Sequence, residues 1–242
     1  MKVLGLVLLL LGVVFCKTPD YINLCKKDDS LPKCLVDNYN TVLQHINDNG
    51  EPLYKLQSLH TIHLEKMPMS AGDLKITLIH PTFVGLDAIK ADEITMNDKE
   101  LRMKGTLARL EYTGDYVMDG KILILPIQGE GTFNITHYGA AYDYTMQLKT
   151  EERKGKKYYY VNSNWNDCKL ILTVKKTYFH FDNLFGGDPR LGPEMNTFLN
   201  ENNADVYEEV KIAIMEGFAF YLLNPYVNGY LRHIPIDSLF QN

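Results

Sequence analysis

Seven histidines and four cysteines are the first places to look for chemistry in this 242-residue chain. His60-Thr61-Ile62-His63 holds the closest histidine pair. On a strand those two rings face opposite sides, and neither lies in an HExxH pattern, so they do not make a zinc site. They read as structural or surface groups, and no metal or cofactor is expected. A Gly-x-Ser-x-Gly motif is absent, which removes the nucleophile elbow of a lipase or esterase. Gly186-Gly187-Asp188-Pro189-Arg190 lacks the lysine and the following serine or threonine of a phosphate loop and reads as a turn. Asp92-Glu93 and Glu151-Glu152 are adjacent on strands, so their carboxylates diverge into solvent rather than pairing for acid–base work. No catalytic residue is assigned. Asn134-Ile135-Thr136 is a glycosylation sequon, usable where Asn134 faces outward, which would turn Phe133 and Ile135 inward.

Compartment decides what the cysteines do. Lys2 followed by the apolar run Val3 to Phe15 has the form of a secretory leader, with Val14 and Cys16 at −3 and −1 of the cleavage site. Residues 1–16 are therefore read as a signal peptide and 17–242 as one mature, secreted, extracellular domain with no integral membrane segment. In an oxidising compartment Cys25 and Cys34 are expected to pair around the Lys26 to Pro32 turn. Cys168 is left over and reads as a buried free thiol in preference to a nucleophile. A formal charge of −5, with no long basic run, gives no footprint for nucleic acid.

The elements follow from periodicity. Cys34 to Ile46 has helical apolar spacing and ends at Asn49-Gly50 before Pro52. From Tyr54 to Phe181 the pattern is β throughout: Leu74 to Leu78 broken by Pro81, then Leu86 to Met96, Leu101 to Tyr112, Tyr116 to Pro126, Gly131 to Leu148, Lys157 to Val161 and Cys168 to Phe181. Gly155 marks a hairpin, and Gly139 inside a long run predicts a bulge or bend. With no helices between them, these strands form an antiparallel sheet.

Asp205-Val206-Tyr207-Glu208 has the spacing of a capping box, and a helix is predicted from there to about His233, ended by Pro235 and kinked at Pro225. It would measure roughly 40 Å at ~1.5 Å per residue. Between Ile212 and Leu223 it is apolar on every side except for Glu216, so its second half must be wrapped. The fold class expected is α+β: a long C-terminal helix wrapped by a highly curved antiparallel sheet, enclosing an apolar tunnel. Strand alternation nominates Phe133, Ile135, Tyr142, Tyr144, Leu172, Val174 and Phe179 as one continuous ligand-binding wall; the helix adds Val210, Ile214, Phe218 and Tyr221. Gly217, in the all-apolar stretch, is read as leaving room for ligand slightly in preference to a packed strand. Tyr142, Tyr144 and Tyr221 are the candidates to orient a ligand, since a phenol offers an apolar wall and one hydroxyl.

The segment Asp182 to Asn202, DNLFGGDPRLGPEMNTFLNEN, resembles the pre-helix block of the insect takeout and juvenile-hormone-binding protein family. The likeness extends to the leader, to Cys25 and Cys34, to Gly120-x5-Pro126 with Gly129 and Gly131, and to the Ile234-Pro235-Ile236-Asp237 ending. It implies the tubular lipid-binding (TULIP-like) fold and a secreted carrier linked to feeding, circadian and chemosensory physiology. An unpartnered Cys168 sets the chain nearer the takeout branch. The function expected is a non-enzymatic, monomeric carrier of a long-chain hydrophobic molecule such as a fatty acid or isoprenoid. A secreted lipid hydrolase, or an interaction module with a filled core, are the competing readings.

Overall fold

The computed structural model describes residues 18–241; the expected leader lies outside them. Strand β1 (Cys25–Lys26) leads into helix α1 (Leu31–Asn49), which Pro32 opens and Gly50, at φ +64°, closes. Short strands β2 (Thr61–His63) and β3 (Lys66–Ala71) precede β4 (Leu74–Val84) and β5 (Lys90–Met96). Then come two strands of 23 residues each, β6 (Glu100–Ile122) and β7 (Leu125–Gln147). Extended, each would measure about 75 Å at ~3.3 Å per residue, far longer than the helix it faces, so the pair has to bend around it.

The bends sit where the sequence permits them. Gly139, at φ +61°, interrupts the pairing of β7 with β6 between Ala140 and Tyr138. At the same place the edge strand splits into β10 (Cys168–Thr173) and β11 (Lys176–Phe181), which pair with the two halves of β7. The inward phase switches there, from Phe133 and Ile135 to Tyr142 and Tyr144. Pro81 does not break its strand as expected: β4 runs on to Val84 past a register shift between Ile79 and Thr82, the kind of bulge in which a missing N–H costs no ladder bond. The run Tyr116 to Pro126 is likewise not one strand, because it crosses the two-residue turn Leu123-Ile124 that joins β6 to β7. Leu86 opens a short 3₁₀ turn rather than a strand.

The eight-stranded antiparallel sheet runs β10-β7-β6-β4-β2, with β11 beside β7, β5 beside β6 and β3 beside β4. Hairpin β8 (Lys149–Arg153) to β9 (Lys156–Tyr160) stands apart from it, and Lys154-Gly155 forms its turn. A last strand, β12 (Phe240–Gln241), pairs in parallel with β1 and ties the C-terminus to the disulfide.

Two differences at the helix matter. The Asp205 capping box does not form, because helix α3 (Asn203–Gly217) begins earlier and Asp205 lies within its first turn, where it still favours the helix dipole. Ahead of α3, the segment Asp182 to Asn202 contains a further helix, α2 (Leu191–Glu201). Its Asn196 and Asn200, one turn apart, face β11. Each amide accepts from and donates to one backbone residue, Asn196 with Phe181 and Asn200 with Phe179, at 2.7–2.9 Å. The sheet edge is thus closed by side chains that imitate a strand. After Gly217 the rod continues as a π turn (Phe218–Leu223) and then α4 (Asn224–Leu231). Pro225 accounts for the change: its nitrogen has no hydrogen for the carbonyl four residues back, and one inserted residue relieves the clash of its ring.

Candidate ligand chamber

The interior is not one continuous space. Along the helix and along β7 the lining residues fall into two groups, with an aromatic block between them. Phe83, Tyr112, His137 and Phe218 form this block; the Phe83 and Tyr112 rings stack at 5.1 Å, and Phe218 stands edge-on to Tyr112 at 5.6 Å and to His137 at 5.9 Å. His137 sits within hydrogen-bonding distance of Tyr112 Oη (3.1 Å) and Thr177 Oγ1 (2.9 Å). Burial lowers its pKa to about 4, so the imidazole is neutral at pH 7. The Thr177–His137 pair has the spacing of a nucleophile and a base; both residues are 1% exposed, and Thr177 borders the space beside α3.

On the α2 side lies a narrow void of about 40 Å³ whose wall includes Ile135, Phe179, Val210 and Ile214. On the other side is a chamber of about 260 Å³. Helix α1 roofs it with one face, Leu35, Tyr39, Val42, Leu43 and Ile46. Ile94 and Met96 of β5, Leu101 and Met103 of β6, and Tyr142 and Tyr144 of β7 make the walls. The π turn and α4 supply Leu222, Leu223, Tyr226, Val227, Tyr230 and Leu231. Among the described residues, no charged side chain lines the chamber.

The nominated wall therefore divides. Tyr142 and Tyr144 line the chamber, whereas Ile135, Phe179, Val210 and Ile214 line the void beyond the block. Phe133 and Phe218 line neither; they pack against other rings, Phe133 on Tyr112 and Phe181. Leu172 and Val174 border a separate pocket of about 340 Å³ between the β10–β11 edge and α3, whose lining, unlike the chamber's, includes the charged side chains Lys175, Lys176, Glu208 and Lys211. Tyr221 points outward at 37% exposure, because the wider π turn rotates it off the helix's inner face. A Cβ built on Gly217 would meet Met67 Sδ and Met69 Sδ, each at 3.3 Å, so that space belongs to packed side chains. The nominated wall contains no residue of α1 or of α4, although both elements supply much of the chamber.

Cys25 and Cys34 are joined by a disulfide and Cys168 is a buried free thiol. Asn134 lies mid-strand and donates to Glu111 at 2.8 Å. His60 and His63 are exposed beside Asp87 and Thr82. Among the described residues, no three His, Cys, Asp or Glu side chains converge as a metal site, and no helix is long and apolar enough to cross a membrane.

This arrangement has known counterparts. The crystal structure of Takeout 1 from Epiphyas postvittana superposes with a TM-score of 0.75 at 23% identity, covering 90% of this chain and 99% of that one. That likeness shows the fold, the tubular lipid-binding one. The circadian clock-controlled protein daywake of Drosophila melanogaster is 26% identical over 236 residues, which span 92% of this chain and 88% of that protein. The family described as haemolymph juvenile hormone binding protein matches residues 4–241, and with nearly the whole length accounted for, the chain belongs to that family.

Proposed function

We propose that the protein is a secreted, non-enzymatic, monomeric carrier that holds one long-chain hydrophobic molecule, a fatty-acid, isoprenoid or related lipid chain, in the chamber beneath α1. The observation that carries this reading is the chamber itself: about 260 Å³, walled by aliphatic and aromatic side chains from α1, three strands and α4. Each methylene buried there contributes roughly 0.8 kcal/mol, so a dozen carbons supply ample driving force before association costs. The family membership and the Cys25–Cys34 bridge support secretion, and the leader 1–16 is expected to be removed before Lys17. Tyr142 and Tyr144 remain the proposed ligand contacts from the original wall. They are joined by the α1 and α4 residues named above.

Native mass spectrometry of gently extracted protein tests this directly. A carrier releases an intact lipid at one per chain; a hydrolase releases cleaved product; a filled interaction module releases nothing. Either of the last two outcomes overturns the proposal.

A further inference from the structure

Among the described residues, six polar side chains line the chamber: Asn38, Tyr39, Tyr142, Tyr144, Tyr226 and Tyr230. Each has its hydrogens turned into the protein. Asn38 gives its amide hydrogens to the Asn23 carbonyl at 2.7 Å and to Cys25 Sγ at 3.3 Å. Tyr142 donates to the Lys90 carbonyl at 2.9 Å. Tyr39 is bonded to Tyr142, and since the single Tyr142 hydrogen is already engaged, Tyr39 is the donor. Tyr144 donates to Asn224 Oδ1 at 2.5 Å, and Tyr226 to the Gln57 carbonyl at 3.1 Å. Tyr21 spends its hydrogen on Glu51 Oε2 at 2.6 Å, so in the 3.1 Å contact between Tyr230 and Tyr21 the donor is Tyr230.

Among the described residues that line the chamber, what remains is a set of oxygen lone pairs, with no charged side chain and no side-chain donor left without a protein partner. A buried carboxylate requires donors or a positive charge; without them its desolvation is uncompensated. Turning Tyr144 round, at the closed end beside Asn224, does not help. Tyr144 would have to abandon Asn224, a side chain only 1% exposed, and leave that amide oxygen buried without its donor. An alcohol, by contrast, has a hydrogen to give to a phenol oxygen, and an ester or hydrocarbon needs none.

Resting on the carrier reading above and narrowing its ligand range, we infer that the chamber selects uncharged lipids, long-chain alcohols, esters and hydrocarbons, and rejects fatty acids in their free, anionic form. The chemistry of the lining distinguishes them although chain length and apolar area do not.

The test uses delipidated full-length mature protein at pH 7.5, with the neutral dye N-phenyl-1-naphthylamine displaced by three ligands of equal chain length: 1-hexadecanol, methyl palmitate and palmitate. Hexadecanol and methyl palmitate should displace the dye, with palmitate weaker by at least about 100-fold, the penalty of an unpaired buried charge. Palmitate displacing within about threefold of hexadecanol overturns the inference and leaves the carrier reading standing. If the protein binds neither the dye nor any of the three lipids, the carrier reading fails and takes the inference with it.

Discussion

Gly217 gives the sharpest test of where ligand space ends and packing begins. It occupies a helical position, where glycine costs about 1 kcal/mol relative to alanine. The added methyl of Gly217→Ala would meet Met67 Sδ and Met69 Sδ at 3.3 Å and Met67 Cε at 3.4 Å. Those atoms are the far ends of flexible side chains and need give only a few tenths of an ångström. The helix gain therefore wins or balances, and Tm should stay level or rise by up to about 4 °C, at roughly 2–4 °C per kcal/mol for a chain of this size. Gly217→Leu pushes three more carbons against Met67, fully buried at 0% exposure, and Met69 at 9%. Overpacking of this kind costs about 1–3 kcal/mol, partly offset by helix propensity, so Tm should fall by about 2–8 °C. Because Gly217 lines neither the chamber nor the void, binding of a lipid dye should stay within about twofold of wild type in both variants. Thermal unfolding followed by circular dichroism and a dye titration on the same samples read both quantities. Lost binding in Gly217→Leu with an unchanged Tm would refute the packing account and return that space to the ligand.

Three further outcomes follow from the same structure. His137 has a folded pKa of about 4 against an ordinary 6.5, so as pH falls the unfolded chain takes up the proton first. Its contribution is complete above pH 6.5 and is lost as the pH falls toward 4, by about 3 kcal/mol. The Tm of His137→Gln should decline less over that window than the wild type's, and equal slopes would count against the assignment. Replacing Cys25 and Cys34 together by serine should cost about 2.5–3 kcal/mol from the loop they close, lowering Tm by roughly 5–12 °C; a Tm within 2 °C of wild type would show the loop to be ordered without the bridge. Asn200→Ala removes both bonds to the Phe179 backbone and should cost about 1–3 kcal/mol. Faster hydrogen exchange at the Phe179 amide is the check, and unchanged protection would mean that the edge is shielded by something else.

Much of the fold is legible because the sequence marks its own turning points. A glycine in the middle of a β run, Gly139, announces the break in pairing at which the inward phase switches, so that Phe133 and Ile135 share an inner face with Tyr142 and Tyr144. An apolar stretch with no polar side announces a wrapped helix, and Pro225 announces its break. Helix α2 is less visible, because asparagines at Asn196, Asn200 and Asn202 read as loop composition. The amides of Asn196 and Asn200 serve the edge of β11, a partner that exists only once the chain has folded, while Asn202 bonds back to the Phe198 carbonyl of α2. The chamber is the least legible feature. Periodicity reports which face of an element is buried, but not how far away the opposite wall stands. Phe218 and Leu222, one turn apart and equally buried, belong to a solid aromatic block and to an open wall respectively.

That difference is explained by what holds α1. An apolar helix over an apolar wall collapses until the two touch, unless something fixes its ends. At its N-terminal end α1 is fixed by the Cys25–Cys34 bridge and by Asn38, whose amide both accepts from and donates to the backbone of Asn23. At the other end, Asn47 donates to the Asp87 carbonyl and accepts from Ser58 through its own carbonyl, while His45 reaches the buried Glu51, which also takes hydrogen bonds from Tyr21 and the Leu53 N–H. Directional bonds set the height of the roof, so the contacts that α1 forgoes with Leu101, Met103 and Tyr144 are left for a guest. Beyond the aromatic block α3 lies directly on Met67 and Met69 of β3, and the void it shares with Ile135 and Phe179 is only about 40 Å³. The position of the chamber is thus decided by polar and covalent ties at the two ends of α1, rather than by the greasiness of the helix it faces.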